Sequence, residues 1–299
     1  MLCGGRNGRR YTGRFAPSPT GDLHLGSLYA AVASYLDARA NGGRWLIRME
    51  DLDAPRVVPG SAARILETLR RFGFEWDAEV LCQSDRTDRY AAALATLRAR
   101  GLTFECSCSR SQLADEERYP GHCRVKLSSP AAGATATRVR VESGATWFDD
   151  RIQGRFRQDI AAAVGDFVIR RRDGFIAYVL AVVVDDAAQG VTHVVRGADL
   201  LDVTPRQIYL QRLLGLATPA YAHVPVLTES DGQKLAKSAR SVALPEGVVV
   251  PSLLRIFELL DLAPPAELSG APLAHVWRWG IQAWRVDQVP RRLALALDR

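Results

Sequence analysis

No apolar run in the chain approaches the ~20 residues that a bilayer-spanning helix needs, and Met1 to Arg10 carries basic residues with no apolar segment behind them. These absences argue against a spanning helix and an export signal, and the expected setting is cytoplasmic. Cysteine is sparse and odd in number: Cys3, Cys82, Cys106, Cys108 and Cys123, three of them within eighteen positions. That distribution fits a metal cluster in a reducing compartment better than a disulfide framework. Internal repeats and low-complexity linkers are missing as well.

The 299 residues are 47% hydrophobic and 24% charged, an ordinary globular composition that argues against disordered and fibrous classes. The length suits one large α/β domain with an insertion and a tail, or two modest domains. Lys plus Arg number 39 against 33 acidic residues, a net charge of +6. The basic residues are mostly Arg, whose planar fork suits phosphates and carboxylates, so the charge is compatible with an anionic partner without requiring one.

Residues 11–20 read as a short strand running into a turn at Pro17, Pro19 and Gly21. An Ala- and Leu-rich helix follows over about 26–40, and an apolar strand over 44–50. Strand, loop, helix, strand is the opening of a doubly wound parallel sheet, which binds ligands at the carboxyl ends of its strands. Further helices fit 60–72 and 88–100. An irregular cysteine-bearing stretch at about 104–136 breaks the rhythm, after which strands are expected at 137–141, 166–171, 176–184 and 191–195 and a helix at 204–214. A strand at 223–227 leads into a Gly/Lys loop and about sixty residues of helix rich in Leu and Trp.

The expected division is therefore 1–103, the first half of the core; 104–136, the cysteine-rich part of an insertion; 137–238, the rest of the insertion and the second half of the core; and 239–299, a short helical tail. Trp277, Trp279 and Trp284 are spaced for core packing in that tail rather than for stacking on bases.

Two segments carry chemistry. Pro17 to Ser27 sets His24, Gly26 and Ser27 where a strand turns into a helix, and backbone N–H groups with the positive end of a helix dipole favour phosphate there. His24 can donate to a phosphate oxygen as charge builds, although a lone histidine at such a place more often only starts the helix. Far downstream, Lys234 and Lys237 stand three apart on a glycine-containing loop, suited to neutralising a pyrophosphate leaving group. Such a lysine pair, taken alone, is more often solvated surface.

Together these segments resemble a known family. His24-Leu25-Gly26-Ser27 is similar to the HIGH signature, and Lys234-Leu235-Ala236-Lys237-Ser238 to the KMSKS signature, of class I aminoacyl-tRNA synthetases. Arg14 to Gly21, Arg48 to Asp53 and Val194 to Leu201 resemble blocks of the glutamyl and glutaminyl branch, and the resemblance spans about residues 11–240. It implies a Rossmann-type catalytic domain that activates L-glutamate with ATP and Mg²⁺ to a glutamyl-adenylate. Glutamate would be held by Arg14, Phe15, Ala16, Pro17, Ser18, Glu50, Tyr178 and Arg196. ATP would be held by His24, Gly26, Ser27 and Lys237, with His24, Lys234 and Lys237 stabilising developing charge.

The residue chemistry agrees with that assignment, because an amino acid with two carboxylates calls for arginines and Glu50 at a strand's end can pair with its ammonium. Asp51 and Asp53 read as turn residues. Ala236 replaces a serine of the family pattern, which removes one loop contact and spares both lysines.

In the insertion, Cys106, Cys108 and Cys123 could bind Zn²⁺ with one more donor, and Tyr119 and His122 both stand close in sequence. Histidine is the commoner zinc ligand. The block Tyr119-Pro120-Gly121-His122-Cys123 nevertheless resembles the zinc-bearing insertion of glutamyl-queuosine tRNA(Asp) synthetases, where the resemblance implies a tyrosine ligand. The zinc would fold the insertion rather than catalyse. Only residues 239–299 follow the lysine loop, less than an anticodon-binding domain requires, which narrows the resemblance to the same branch. It implies a monomer that transfers glutamate to the queuosine base in the anticodon loop of tRNA(Asp), with Arg138, Arg140, Arg151, Arg155, Arg157 and Arg170 to Arg172 as candidates for meeting phosphates. The competing readings are a shortened glutamyl-tRNA synthetase charging tRNA(Glu), an adenylyltransferase acting on another small carboxylic acid without RNA, and a silent binding protein.

Overall fold

The structure is a computed structural model and describes residues 10–109, 111–114, 116, 118–125, 134–229 and 248–297. Strand β1 (Thr12–Phe15) is followed by α1 (Leu25–Ala40), β2 (Arg44–Met49), α2 (Ser61–Arg71), β3 (Leu81–Cys82) and α3 (Thr87–Ala99). β1 pairs in parallel with β2, and β2 with β3. After the insertion, β9 (His193–Gly197) pairs in parallel with β10 (Ala220–Val224), the two being connected through α6 (Thr204–Leu214). β9 lies beside β1, where the Thr192 amide donates to the Thr12 carbonyl at 2.9 Å. The parallel order is thus β3-β2-β1-β9-β10, with the chain reversing its winding between β1 and β9. That reversal opens a crevice at the carboxyl ends of the strands.

α1 is packed on nearly every side, with Leu28, Ala31, Val32, Ala33 and Leu36 fully buried, because it lies between the sheet and the C-terminal helices. Those helices, α7 (Val249–Leu259) and α8 (Leu273–Ala283), belong to the same core. Trp277 stacks edge-on against Tyr35 and Phe74 and donates its indole N–H to the Phe72 carbonyl at 2.8 Å. Trp279 packs on Phe257, and Trp284 is buried. The tail tryptophans are core residues, as their spacing indicates. The tail is not wholly helical, however: β12 (Ala294–Ala296) pairs in parallel with β11 (Val226–Thr228).

The insertion contributes an antiparallel sheet in the order β4 (Thr103–Cys106), β5 (Ala136–Val139), β8 (Val168–Arg170). It also contributes a hairpin of β6 (Ala145–Asp150) and β7 (Gly154–Asp159), followed by the short helix α4 (Ile160–Ala163). The strand expected at 176–184 is a helix, α5 (Tyr178–Ala188), and only Ile176 makes a strand-like bridge, to Arg170. Val179 to Val183 are all buried, so the run is apolar on every face and its periodicity cannot separate strand from helix; packing against α3 and α6 overrides the strand preference of its valines. The single strand expected at 223–227 is two, β10 and β11, because Pro225 has no N–H to continue a ladder.

Candidate active site

A cavity of about 480 Å³ opens at the carboxyl ends of β1, β9 and β10, walled by the β1–α1 loop, Tyr178 and residues 195–197 and 224–227. Its two ends differ in chemistry. At one end α1 begins: His24 is its N-cap, and His24 Nδ1 accepts the Ser27 amide at 3.3 Å while Nε2 lies 3.0 Å from the Ser27 hydroxyl. Nδ1 is therefore the acceptor and Nε2 carries the proton. Burial holds the imidazole below its ordinary pKa, so His24 offers a neutral N–H donor. A Cβ at Gly26 would stand 3.2 Å from the His24 ring, so Gly26 lets the imidazole lie across the helix start.

At the other end, cations and carboxylates are locked together in the interior. Asp186 Oδ1 accepts Nε of Arg14 at 3.2 Å and Nη1 of Arg48 at 2.8 Å. Arg48, fully buried, also donates to Gln189 Oε1 at 2.8 Å and reaches Glu50 Oε1 at 3.3 Å. Among the described residues no hydrogen bond engages the two terminal nitrogens of Arg14, and Arg14 lines the cavity. A guanidinium held by its Nε and open at both Nη atoms is a fork for a carboxylate.

The electrostatics follow from these contacts. Burial opposes ionisation of Asp186, but Arg14 and Arg48 outweigh it and hold that carboxyl below its ordinary range. Glu50 goes the other way: burial raises its pKa, with Arg48 and Arg14 offsetting only part. A desolvated carboxylate of this kind gains most from a cation delivered by a ligand. The Glu50 amide donates to the Pro17 carbonyl at 2.9 Å, which ties the end of β2 to the β1–α1 loop. Tyr178, at the start of α5, has its hydroxyl 3.4 Å from Arg196 Nη1, and burial and then Glu50 raise its pKa.

The structure thus gathers Arg14, Phe15, Ala16, Pro17, Ser18, His24, Gly26, Ser27, Tyr178 and Arg196 around one cavity, with Glu50 beside it through Arg48 and Pro17. Lys234 and Lys237 lie outside the described residues; β11, which leads toward them, contributes Val226 and Leu227 to the cavity wall. Asp51 holds the amide and hydroxyl of Ser84, and Asp53 pairs with Arg56 and Arg171, so both organise turns.

Two buried partners were not singled out from sequence. Arg48 in β2 stands two before Glu50, which directly follows the strand, hence on the same side of the extended chain, and Asp186 stands eight after Tyr178, hence near the same face of α5. The second signal is visible only once residues 178–188 are read as a helix.

Cys106, Cys108 and Cys123 bring their sulfurs within 4.8 Å of one another, with 3.6 Å between Cys108 and Cys123. Four ligands around Zn²⁺ at about 2.3 Å in a tetrahedron would stand about 3.8 Å apart, so the thiol cluster fits a metal ion with little movement. The Tyr119 hydroxyl is buried 3.6 Å from Cys106 Sγ, whereas His122 is exposed and outside the cluster.

Several of the arginines considered for phosphate contact are engaged within the protein. Arg151 pairs with Asp37 at 2.5 and 3.0 Å, Arg138 lies 3.8 Å over the Tyr119 ring, Arg140 donates to the Arg124 carbonyl, and Arg171 pairs with Asp53 and Asp173. Arg155 and Arg157 are exposed on β7, Arg155 in a solvent-facing pair with Asp149 and over the ring of exposed Trp147.

Residues 11–249 match the family model of class I tRNA synthetases (E and Q), catalytic domain. The chain belongs to this family. Curated relatives include the glutamyl-Q tRNA(Asp) synthetase of Pseudomonas fluorescens, 54% identical over 95% of both chains. Those of Ectopseudomonas mendocina, 56% identical over 96% of this chain and 97% of the relative, and Thiobacillus denitrificans, 53% identical over 95% and 96%, are alike. Among solved structures, the glutamate-tRNA synthetase of Elizabethkingia anophelis superposes with a TM-score of 0.79 at 23% identity, over 96% of this chain and 68% of that one, which is agreement of fold. This class I synthetase is accordingly an α/β ligase with a parallel catalytic sheet and a thiol cluster able to hold a metal ion. No helix among the described residues is long and apolar enough to cross a membrane.

Proposed function

We propose that this synthetase activates L-glutamate with ATP and transfers it to the queuosine base in the anticodon loop of tRNA(Asp). The observation that carries the reading is the placement of the open Arg14 fork, with buried Glu50 close by, at the end of a cavity whose other end is the α1 N-terminus with His24. Relatives more than half identical over nearly the whole chain, each named glutamyl-Q tRNA(Asp) synthetase, support the substrate and acceptor.

In this reading Arg14 and Arg196 take the carboxylates of glutamate and Glu50 its ammonium, with Phe15, Ala16, Pro17, Ser18 and Tyr178 shaping the pocket. The α-carboxylate oxygen attacks the α-phosphorus of ATP in line, and the bond to the β-phosphate bridging oxygen breaks to release pyrophosphate. His24 donates from Nε2, the amides around Gly26 and Ser27 add donors, and Lys234 and Lys237 neutralise the leaving group; one such donor is worth about 10²-fold in rate. Mg²⁺ carried with ATP would lower the charge on the phosphates. A hydroxyl of the queuosine base then attacks the adenylate carbonyl, loses its proton and releases AMP.

Zn²⁺ would be held by Cys106, Cys108, Cys123 and Tyr119, fixing the fold of 104–136. Helices α7 and α8 buttress the core, and the enzyme works as a cytoplasmic monomer.

The test is transfer of labelled glutamate, with ATP, to tRNA(Asp) bearing or lacking queuosine, with tRNA(Glu) as comparison. Labelling of queuosine-bearing tRNA(Asp) alone is expected; labelling of tRNA(Glu) would replace the reading with a shortened translation synthetase.

A further inference from the structure

Three of the five N–H bonds of Arg196 are committed to short hydrogen bonds. Nε donates to His223 Nε2 at 3.0 Å, and Nη2 donates to Thr204 Oγ1 and Gln207 Oε1, each at 2.7 Å. Among the described residues Nη1 alone is left to face the cavity, its one hydrogen-bond contact there the long approach to the Tyr178 hydroxyl at 3.4 Å. The nitrogen that sets the plane of this guanidinium is held by an imidazole that the proposed chemistry does not otherwise use.

That imidazole has a forced tautomer. Arginine has no acceptor, so His223 Nε2 must present its lone pair, and the single proton sits on Nδ1. Nδ1 donates to Asp150 Oδ2 at 2.6 Å, and both side chains are wholly buried. Asp150 is in turn held by the amides of Ile152, Gln153 and His223 at 3.0, 2.8 and 3.1 Å. The anchor is the end of β6 in the insertion hairpin, whereas Arg196 and His223 lie opposite each other on paired β9 and β10.

We propose that His223 is a positioning residue for amino-acid recognition: held by Asp150, it fixes Nε of Arg196 so that Nη1 presents to a substrate carboxylate. The device rests on the reading of Arg196 as a glutamate-binding residue. It makes the insertion hairpin part of the recognition apparatus, since the carboxylate that holds the imidazole, Asp150, comes from β6 and not from the parallel sheet. A side chain without an acceptor at position 223 leaves Arg196 anchored through Nη2 to Thr204 and Gln207 but free to turn about that anchor, and the pocket loses its aimed donor while the nucleotide end is untouched.

The experiment is amino-acid-dependent ATP–pyrophosphate exchange by the full chain and its His223→Leu, His223→Gln and Arg196→Ala variants, with thermal melts of each. His223→Leu should raise the KM for glutamate about 10- to 100-fold, the loss expected for one hydrogen bond to a charged group, with kcat and the KM for ATP moving by less than about threefold. His223→Gln, whose amide oxygen can accept from Arg196, should recover most of the loss. An unchanged glutamate KM in His223→Leu overturns the proposal, as does a rise in both KM values that tracks the drop in Tm and is not relieved by glutamine. Exchange by the unmodified enzyme that ignores glutamate, or that survives Arg196→Ala, would instead overturn the reading of the pocket itself.

Discussion

Trp284 donates its indole N–H to Asp37 Oδ1 at 2.9 Å, joining positions 247 residues apart in a buried contact. The same carboxylate takes both terminal nitrogens of Arg151 and the Tyr11 hydroxyl, so tail, insertion and first strand meet on one acid of α1. Trp284→Phe keeps an aromatic ring but removes the donor and part of the buried volume; it should lower stability by about 1–3 kcal/mol, read as a lower denaturant midpoint with an unchanged slope. A variant as stable as the parent would mean that Arg151 and Tyr11 suffice for Asp37.

Acid should destabilise the fold through His223. Burial, aided by Arg196 and opposed by Asp150, lowers its pKa from 6.5 to about 4. Between those values the unfolded chain binds a proton that the folded chain does not, so stability must decline as pH falls from 6.5 toward 4. Denaturant titrations across that range should show the decline in the parent and a shallower one in His223→Gln.

The thiol cluster sits in a small apolar cluster, with Phe104 and Leu113 packed around Cys106, Tyr119 and Cys123. So few side chains cannot hold a fold without a further cross-link. Chelation should therefore release one zinc per chain and raise hydrogen exchange at 104–125 while amides of α1 stay protected. Cys108→Ser should reproduce both effects, and zinc-free protein with full protection there would remove the metal from the account.

Arg155 and Arg157 stand on the outward face of β7. The pair Arg155–Asp149 is solvent-exposed and screened by water, so a phosphate can displace it. Reversing both charges should weaken tRNA binding and reduce the slope of log K against log salt by up to about 1.4. Binding with an unchanged salt dependence would place the RNA elsewhere.

Much of this architecture was readable from residue order because the first half alternates cleanly: the Pro17–Gly21 turn, the alanine-rich helix after it and the apolar strand ending at Glu50 each follow local rules. Residues 178–188 defeated the same rules, since a segment buried on all sides leaves no periodicity to read, and Asp186 was lost with it. The residues that line the cavity stood out through their motifs; the groups that hold them did not. His223 and Asp150 are 73 positions apart and carry no shared pattern, so their pairing exists only in three dimensions. Between Tyr119 and His122 the chemistry of the residue types favoured histidine and the resemblance tyrosine; in the structure it is the Tyr119 hydroxyl that lies beside the thiols.

Pro225 gives the cavity wall a mechanical property. On one side of it β10 is laddered to β9 and carries His223; on the other β11 is laddered to β12 and leads toward the lysine segment. With no amide at 225, the two ladders share no rung at that position. A shift of β11 as substrate arrives or leaves is therefore not forced through a continuous sheet onto β10. The strand that carries His223 and the strand beyond Pro225 thus hang on separate ladders, two lips of one crevice with no shared backbone rung at the proline.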